Sequence, residues 1–341
     1  MSDSIAPIRE WDGPLDAAGF ARMREAGVPT VMRGLVADWP AVAAARTGDR
    51  AIADYLIRQG GGAAVSAIAA APEEKGRFFY TPDLTQLNFV RGRGRLDAFL
   101  NDLLRAADHG NPPAMAVQSE HIREIMPAFA QENRLDILPG VDPRIWIGNR
   151  IRVAAHYDVK ENVACCVAGR RRFTLFPPDQ LRNLYPGPLE LTPAGTPVSL
   201  VDLENPDFKT HPRFAEALPH AQQATLEPGD ALFIPYCWWH GVQSLEPVSI
   251  LVNYWWTEGV PQGNGGHYDA LLHAILAFKH LPPAQKAVWQ DMLDYFVFAE
   301  DGGSKHLPAH AKGVLGPASP QLFDTMRAMI RGALGGPGAP R

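Results

Sequence analysis

The tripeptide His-Tyr-Asp occurs twice in the chain, at 156–158 and 267–269, each time with a histidine two residues before a carboxylate. The first copy lies in a strand-like stretch, RVAAHYDV, and residues two apart on a strand point to the same face. His156 and Asp158 therefore converge, and His240, after the strand candidate DALFIP, supplies a third ligand. Two histidines and one carboxylate form the ligand set of non-haem Fe(II) oxygenases, so this combination predicts an iron site.

The second copy has a different context, because it begins the amphipathic stretch HYDALLHAILAF. Residues two apart on a helix do not face one another, so this copy is not expected to bind metal. Asp269 is better explained as a residue that caps the helix or interacts with its dipole. Two further histidines, His211 and His220, lie in a polar segment that we expect to be a loop.

Composition narrows the class of protein. The chain has 341 residues, 46% hydrophobic and 20% charged, as expected for a globular protein with a sizeable core. A net charge of -5 and a pI of about 6.1 disfavour a nucleic-acid surface. The three cysteines, Cys165, Cys166 and Cys237, indicate buried thiols in a reducing compartment rather than a disulfide framework. The N-terminus lacks a signal-peptide pattern and no apolar run reaches membrane-spanning length, so we expect a cytoplasmic protein without a membrane segment.

Three regions differ in their sequence patterns. Residues 1–112 mix helical spacing with short apolar runs and predict an α/β region. Residues 113–260 contain short apolar runs separated by Gly, Pro and Asp, which predicts a β-sandwich or barrel. Residues 261–341 return to helical spacing. In the outer regions we predict helices over 15–27, 46–62, 95–108, 267–281, 284–299 and 319–334, and strands over 29–35 and 77–81. The strands predicted in the middle region include TPVSLVDL and QATLEPGDALFIP.

The blocks HYDVKENVACCVAGRRRFTLFPPDQ, LEPGDALFIPYCWWHGVQSL and LVNYWW, over about residues 145–257, closely resemble the cupin-like, JmjC-type Fe(II)/2-oxoglutarate oxygenases. Within that family they are most similar to the hypoxia-inducible-factor asparaginyl hydroxylase group and to bacterial cupin-like proteins. The resemblance implies a mainly β fold, a double-stranded β-helix (the jelly-roll or cupin barrel), with an N-terminal α/β extension and a C-terminal helical region. It also implies Fe(II), 2-oxoglutarate and O2 as cofactors.

The resemblance also assigns site residues. The metal ligands become His156, Asp158 and His240. Arg171 takes the position of the basic residue that binds the distal carboxylate of 2-oxoglutarate, where many relatives carry lysine; Arg170 or Arg172 serves instead if the hairpin register is shifted by one. Four further positions match the cosubstrate pocket or its wall: Asn162, Asn253, Trp255 and Tyr80, the last of which a gapless match replaces by Phe79. At Val153, where the family often has a hydroxyl, the side chain cannot donate a hydrogen bond.

By resemblance, the expected activity is hydroxylation of a protein side chain or another C–H substrate, with succinate and CO2 as products. Two alternatives stay open: a cupin metalloenzyme without 2-oxoglutarate, such as an isomerase, and a non-catalytic sensor or binding module. The substrate cannot be identified from the residues; a protein or peptide is expected, and nucleic acid is not. The C-terminal helices resemble dimerising helices, so we expect a homodimer.

Overall fold

The computed structural model describes residues 5–257, 266–300 and 302–334. The chain divides into two compact units, Met1–Thr257 and Glu258–Arg341. The predicted division into 1–112, 113–260 and 261–341 stays a prediction. In the described ranges, no helix is long and apolar enough to cross a membrane.

The first unit contains two β-sheets. The large sheet has nine strands in the order β2-β3-β13-β10-β15-β8-β7-β4-β6. Its strands are β2 (Arg9–Glu10), β3 (Thr30–Met32), β4 (Ala64–Ala70), β6 (Val90–Arg95), β7 (Ala114–His121), β8 (Pro143–Gly148), β10 (Glu161–Ala168), β13 (Ala231–Ile234) and β15 (Ser249–Trp256). The small sheet has the order β1-β12-β11-β14-β9-β5. Its strands are β1 (Ala6–Pro7), β5 (Arg77–Phe78), β9 (Arg152–His156), β11 (Arg171–Phe176), β12 (Gln222–Leu226) and β14 (Trp239–Ser244).

The eight strands β8 to β15 form the barrel. Of these, β8, β10, β13 and β15 are neighbours in the large sheet, and β9, β11, β12 and β14 in the small sheet. The chain therefore passes repeatedly between two facing antiparallel sheets, which is the arrangement of a jelly roll. The connection from β8 to β9 is short, because β8 ends at Gly148 and β9 begins at Arg152, and the connection from β14 to β15 is short as well. Short connections place β9 over β8 and β14 over β15. The predicted mainly β, double-stranded β-helix fold is confirmed.

Residues before the barrel extend it on one side. The strands β4, β6 and β7 continue the large sheet beyond β8, and four helices pack on its outer face. These helices are α1 (Ala17–Glu25), α2 (Pro40–Thr47), α3 (Asp49–Gly60) and α4 (Leu96–Ala107). The apolar residues at helical spacing on α4, including Leu96, Leu100 and Leu103, are fully buried in the cluster beneath the helices. Three short helices follow: α5 (Ile122–Ile125), α6 (Pro127–Glu132) and α7 (Phe214–Ala217).

Adjacent residues on β10 show that the two faces of the large sheet have different cores. Cys165 belongs to the cluster under the helices, and Cys166 belongs to the barrel interior. Both thiols are free and buried, as the sequence predicts. Burial raises the pKa of Cys166 to about 12, so the thiol is protonated and behaves as a small apolar side chain.

The second unit is helical in its described residues. It contains α8 (His267–Phe278), α9 (Pro283–Leu293), which continues as one π-helical turn over Asp294–Phe298, and α10 (Pro320–Leu334). The second His-Tyr-Asp copy is therefore at a helix start, as predicted. Asp269 lies in the first turn of α8, but no side chain caps that helix, so the capping part of the interpretation is wrong and the dipole explanation remains.

Three sequence-based assignments differ from the structure. TPVSLVDL forms no ladder strand; it is a loop with a single bridge between Pro186 and Ser199. Its apolar residues are buried by packing against the small sheet, so apolar and polar residues alternate in its sequence as they do in a strand. No helix is predicted from the sequence directly after Trp39, but α2 begins there, with Pro40 at the first helical position, where its missing N–H costs nothing. The strand predicted over 77–81 is only two residues long.

Candidate metal centre and its cavity

The predicted ligands come together at the ends of two neighbouring strands. His156 is the last residue of β9, and its strand partner on β14 is His240. Asp158 lies just past the strand end, where its carbonyl accepts a hydrogen bond of 3.0 Å from the backbone N–H of Cys237. One potential ligand atom from each of the three residues lies within 4.8 Å of the other two. The three side chains therefore converge as the i, i+2 spacing predicts, although Asp158 is no longer in the strand.

Hydrogen bonds fix which imidazole nitrogens face the centre. The Nδ1 of His156 lies 3.0 Å from the carbonyl of Ala154, and the Nδ1 of His240 lies 3.0 Å from the carbonyl of Trp238. Because a carbonyl only accepts, each Nδ1 carries the proton and each Nε2 keeps a free lone pair. Burial and the neighbouring His240 lower the pKa of His156 to about 4, so the ring is neutral at physiological pH. His156 is thus in the neutral form that ligates a metal, and the Nδ1 contacts of both histidines leave Nε2 on the side of the centre.

The donor set fits a divalent metal ion. The Oδ2 atom of Asp158 is buried without a hydrogen-bond partner among the described residues, and it lies 3.6 Å from the Nε2 atom of His240. A buried carboxylate oxygen with no partner is costly unless a cation neutralises it. Two imidazole nitrogens and one carboxylate on one side of an ion leave further positions open, which is the arrangement of the facial triad.

The triad opens into a cavity of about 710 Å³ between the two sheets. Arg171 lines this cavity, and only 5% of its surface is exposed. Its Nε donates to the Oγ of Ser249 at 2.8 Å, while Nη2 is buried without a partner among the described residues. Burial lowers the pKa of Arg171 to about 10, which still leaves it charged at neutral pH. The cavity therefore holds a buried positive charge without a carboxylate partner within the described part of the chain.

The neighbouring arginines have other surroundings. Arg170 is exposed and forms a salt bridge of 2.7 Å with Glu246. Arg172 points to the opposite face of β11 and contacts the Oε1 of Gln243 at 3.4 Å. The hairpin register is set by Gly169, whose φ of 67° suits glycine and where a Cβ would lie 2.5 Å from the carbonyl oxygen of Val248. Of the three arginines, Arg171 is thus the one placed to bind an anion in the cavity.

The predicted pocket residues on β10 and β15 also line the cavity. Asn162 and Asn253 are buried, and Nδ2 of Asn253 donates a hydrogen bond of 2.7 Å to Oδ1 of Asn162, while Oδ1 of Asn253 has no partner among the residues that the structure describes. Trp255 stands opposite Asn162 in the ladder, and its buried Nε1 has no hydrogen-bond partner in the described ranges. These groups add polar atoms that face the space next to the triad and Arg171.

Tyr80 lies elsewhere. It is buried, bridges to Leu87, and has its hydroxyl against Gly187, outside the set of residues that line the cavity. Phe78 lines the cavity from the same segment. Val153 also lines the cavity, because an irregularity between β9 and β14 turns it to the same side as His156. The position where the resemblance implies a hydroxyl therefore does face the cavity, with an apolar side chain.

Comparison with known proteins agrees with this geometry. The sequence profile of the cupin-like domain family matches residues 17–260. The chain belongs to the cupin-like domain family. Its resemblance to the JmjC-type Fe(II)/2-oxoglutarate oxygenases is confirmed by its relatives, and Fe(II), 2-oxoglutarate and O2 are the cofactors of that family.

Two relatives match over most of this cupin-like chain. The Lysine-specific demethylase JMJ31 of Arabidopsis thaliana is 28% identical over 77% of the chain and 52% of its own length. The Jumonji C domain-containing protein 5 of Drosophila melanogaster is 29% identical over 74% of the chain and 60% of its own length. A shorter match, 38% over 31% of the chain and 30% of the relative, is to the tRNA wybutosine-synthesizing protein 5 of Gallus gallus. The chain thus spans about half the length of the Arabidopsis relative.

Sequence reasoning missed several residues that line the cavity of this cupin-like domain. Trp146 on β8 packs edge-on against Trp255, with ring centroids 5.8 Å apart. Gln118 and Ser119 form a bulge in β7, where Ser119 has a φ of 56° and accepts hydrogen bonds from Arg144 at 2.9 and 3.0 Å. A bulge re-aims side chains toward a site, but a single sequence carries no periodic signal for it. The loop 192–195 closes another side.

Proposed function

We propose that this chain is an Fe(II)- and 2-oxoglutarate-dependent dioxygenase that hydroxylates a protein side chain or another C–H substrate. The observation that carries the proposal is the combination of the triad with an unpaired, buried Arg171 in one cavity. A metal site alone explains the three ligands. A metal site together with a separate buried cation is explained by a ligand that binds the metal at one end and the cation at the other. A dicarboxylate with a keto group is such a ligand.

Arg171 has the properties of a carboxylate anchor. Its free Nη2 and its fixed Nε leave the guanidinium oriented by Ser249, so that one edge faces the cavity. A carboxylate bound there forms charge-assisted hydrogen bonds in surroundings where such bonds are strong. Arginine reaches as far as lysine and binds a carboxylate with two donors, so its presence in place of lysine is compatible with the same role.

The remaining residues prepare the site. His156, Asp158 and His240 hold the metal on one side, while Asn162 and Asn253 offer polar atoms beside it. Fe(II) with 2-oxoglutarate and O2 would supply, when bound, the oxidant and the oxygen atom that turn a C–H group into an alcohol. The chain's task is to orient the substrate and to exclude water, and the mostly apolar cavity wall serves both. A cavity of about 710 Å³ leaves room for part of a substrate beside the small cosubstrate.

The alternative of a cupin that binds metal without 2-oxoglutarate leaves Arg171 unexplained. An isomerase or a binding module with only the triad would keep a buried charge that costs folding stability and binds nothing. Nothing in the described residues favours a second function over the oxygenase. The substrate, the C-terminal dimer and the cytoplasmic location stay predictions.

Uncoupled turnover of 2-oxoglutarate tests the proposal. The purified chain is incubated with Fe(II), ascorbate and 2-oxoglutarate in air, and both succinate and 2-oxoglutarate binding are measured. We expect binding and slow succinate formation from the wild type and from the control His220→Ala, whose exposed histidine lies outside the cavity. His156→Ala should form no succinate above background. Absence of both binding and succinate in the wild type would refute the oxygenase proposal.

A further inference from the structure

The strand β6 carries an unusual alternation, Arg91-Gly92-Arg93-Gly94-Arg95, at the exposed edge of the large sheet. Arg91 and Arg93, which we name the arginine pair, line the same cavity as the metal triad. Neither has a carboxylate within ion-pair distance among the described residues, whereas Arg95 forms a salt bridge of 2.6 Å with Asp97. Two positive charges at the cavity thus have no carboxylate partner among the described residues, although Arg91 lies 5.3 Å from the Phe89 ring centroid, and the third charge is neutralised.

Strand register puts the arginine pair on the inner face of the sheet. Arg93 stands opposite Ser66, and Arg91 stands opposite Ile68, which itself pairs with Ala116 on β7. Directly paired residues project to the same face, and Ser66, Ile68 and Ala116 all line the cavity. The cavity is therefore a trough along the inner face of the large sheet, with the metal triad at one end and the arginine pair at the other.

The span of the trough follows from strand spacing. The triad strands β9 and β14 lie over β8 and β15, and from these strands to β6 there are three or four steps across the sheet. At about 4.8 Å per step, the arginine pair lies about 14 to 19 Å from the metal centre along the sheet. An extended chain covers that span in about four to six residues.

The distribution of charge favours a protein segment over a nucleic acid. Among the described residues that line the cavity, the cationic side chains are the arginine pair at one end and Arg171 at the other. Between the two ends the lining is uncharged: it includes the apolar Ile68, Ala116 and Trp146 and the polar Gln118 and Ser119. A nucleic acid strand carries a phosphate at every nucleotide and is bound by a groove with positive charge along its whole length. One local charge cluster matches one or two acidic side chains.

We propose that the arginine pair binds acidic side chains of an extended protein segment, about four to six residues from the residue that reaches the metal centre. This inference rests on the proposed oxygenase function, and it specifies the substrate class of the same site. It assigns Arg91 and Arg93 the role of selecting the substrate at a distance, whereas the triad and Arg171 act on the cosubstrate.

Fluorescence anisotropy with the full chain tests the charge selection. The probes are labelled peptides of about ten residues, identical except for two adjacent aspartates that are replaced by asparagines or by lysines. We expect wild type and Arg95→Ser to prefer the aspartate peptide and the double variant Arg91→Ser/Arg93→Ser to bind it about tenfold more weakly, since two exposed ion pairs are lost. Both arginines are exposed, so the double variant should keep the thermal unfolding midpoint of the wild type.

Equal binding of the aspartate and asparagine peptides, or no effect of the double variant, would contradict the inference. A single-stranded RNA of about twelve nucleotides is the second probe; tighter binding of the RNA, lost in the double variant, would assign the pair to nucleic acid instead. The 2-oxoglutarate affinity of the wild type is measured separately. Its absence would refute the oxygenase proposal, while the peptide data report the arginine pair independently, since anisotropy requires no turnover.

A photo-crosslinking series tests the direction of binding. A benzoylphenylalanine placed next to the two aspartates should crosslink to residues of β4 or β7, such as Ile68. Placed about five residues away, it should crosslink near the triad, to Trp146 or Trp255, because that distance spans the trough. Crosslinks that do not move with the position of the probe, or that lie outside the cavity, would overturn the proposed path.

Discussion

Replacement of Arg171 by methionine should make the ligand-free protein more stable and its cosubstrate binding weaker. Burial lowers the pKa of Arg171 from 12.5 to about 10. At about 1.4 kcal/mol per pH unit, the buried charge costs about 3 kcal/mol of folding free energy. Because the pKa in the folded chain lies below that in the unfolded chain, this cost is fully present at neutral pH and is lost progressively as the pH rises from about 10 to 12.5.

Methionine keeps a long apolar stem and removes the charge, but it leaves the Oγ of Ser249 without its donor. That lost hydrogen bond costs about 1 kcal/mol, so Arg171→Met should raise the free energy of unfolding by about 2 kcal/mol. For 2-oxoglutarate, the loss of two charge-assisted hydrogen bonds at about 1.5 kcal/mol or more each predicts a Kd at least about 100-fold higher.

Urea unfolding without cosubstrate and calorimetric titration of 2-oxoglutarate into Mn(II)-loaded protein measure the two effects. Arg172→Met is the matched control, since Arg172 lies next to Arg171 on β11 and faces away from the cavity. We expect the control to change neither quantity by much. A less stable Arg171→Met protein that binds 2-oxoglutarate with wild-type affinity would refute both the energetic reasoning and the assignment of the anchor.

Three further predictions concern the scaffold. Asn133→Ala should lower the free energy of unfolding by about 2 to 4 kcal/mol in urea, because this buried amide forms three hydrogen bonds that fix α2 to the adjacent helices. Gly169→Ala should destabilise the barrel by at least about 1 kcal/mol, because its Cβ would lie 2.5 Å from a carbonyl oxygen at positive φ; an unchanged midpoint would contradict this. Iodoacetamide should alkylate the native protein at Cys237 first, with Cys165 and Cys166 protected. Burial raises the pKa of all three thiols, so the alkylation rate should continue to rise at pH values above the ordinary thiol pKa. Peptide mass spectrometry measures both the site and the rate.

The convergence of His156 and Asp158 could be predicted from the sequence because the first ends a barrel strand and the second lies just past it. The facing of these two residues follows from the strand period of two, whereas Arg171, as proposed cosubstrate anchor, comes from the family resemblance, which leaves Arg170 and Arg172 open. The same period of two explains why Cys165 and Cys166 are buried on opposite faces of the large sheet. The second His-Tyr-Asp copy was separated from the first by the change to helical spacing.

The end of the cavity at β6 could not be predicted, for a physical reason. The strand β6 lies at an exposed edge, so its sequence, VRGRGR, carries no apolar alternation for a periodicity argument to detect. The bulge at Ser119 depends on hydrogen bonds to Arg144 from another strand. In TPVSLVDL, by contrast, the pattern predicts a strand where the structure has a loop. Burial of this loop against the small sheet gives its sequence a strand-like pattern. Tyr80 shows that a residue can be buried near a site without lining it.

One metal ion and one 2-oxoglutarate should bind together through the triad and Arg171. Calorimetric titration of 2-oxoglutarate with and without Mn(II), on the wild type and on His240→Ala, tests it most directly. We predict one molecule of 2-oxoglutarate per chain, bound tightly only when Mn(II) is present and lost in His240→Ala, whose histidine is 4% exposed and lines the cavity. Equal binding with and without the metal, or binding that survives in His240→Ala, would contradict the account.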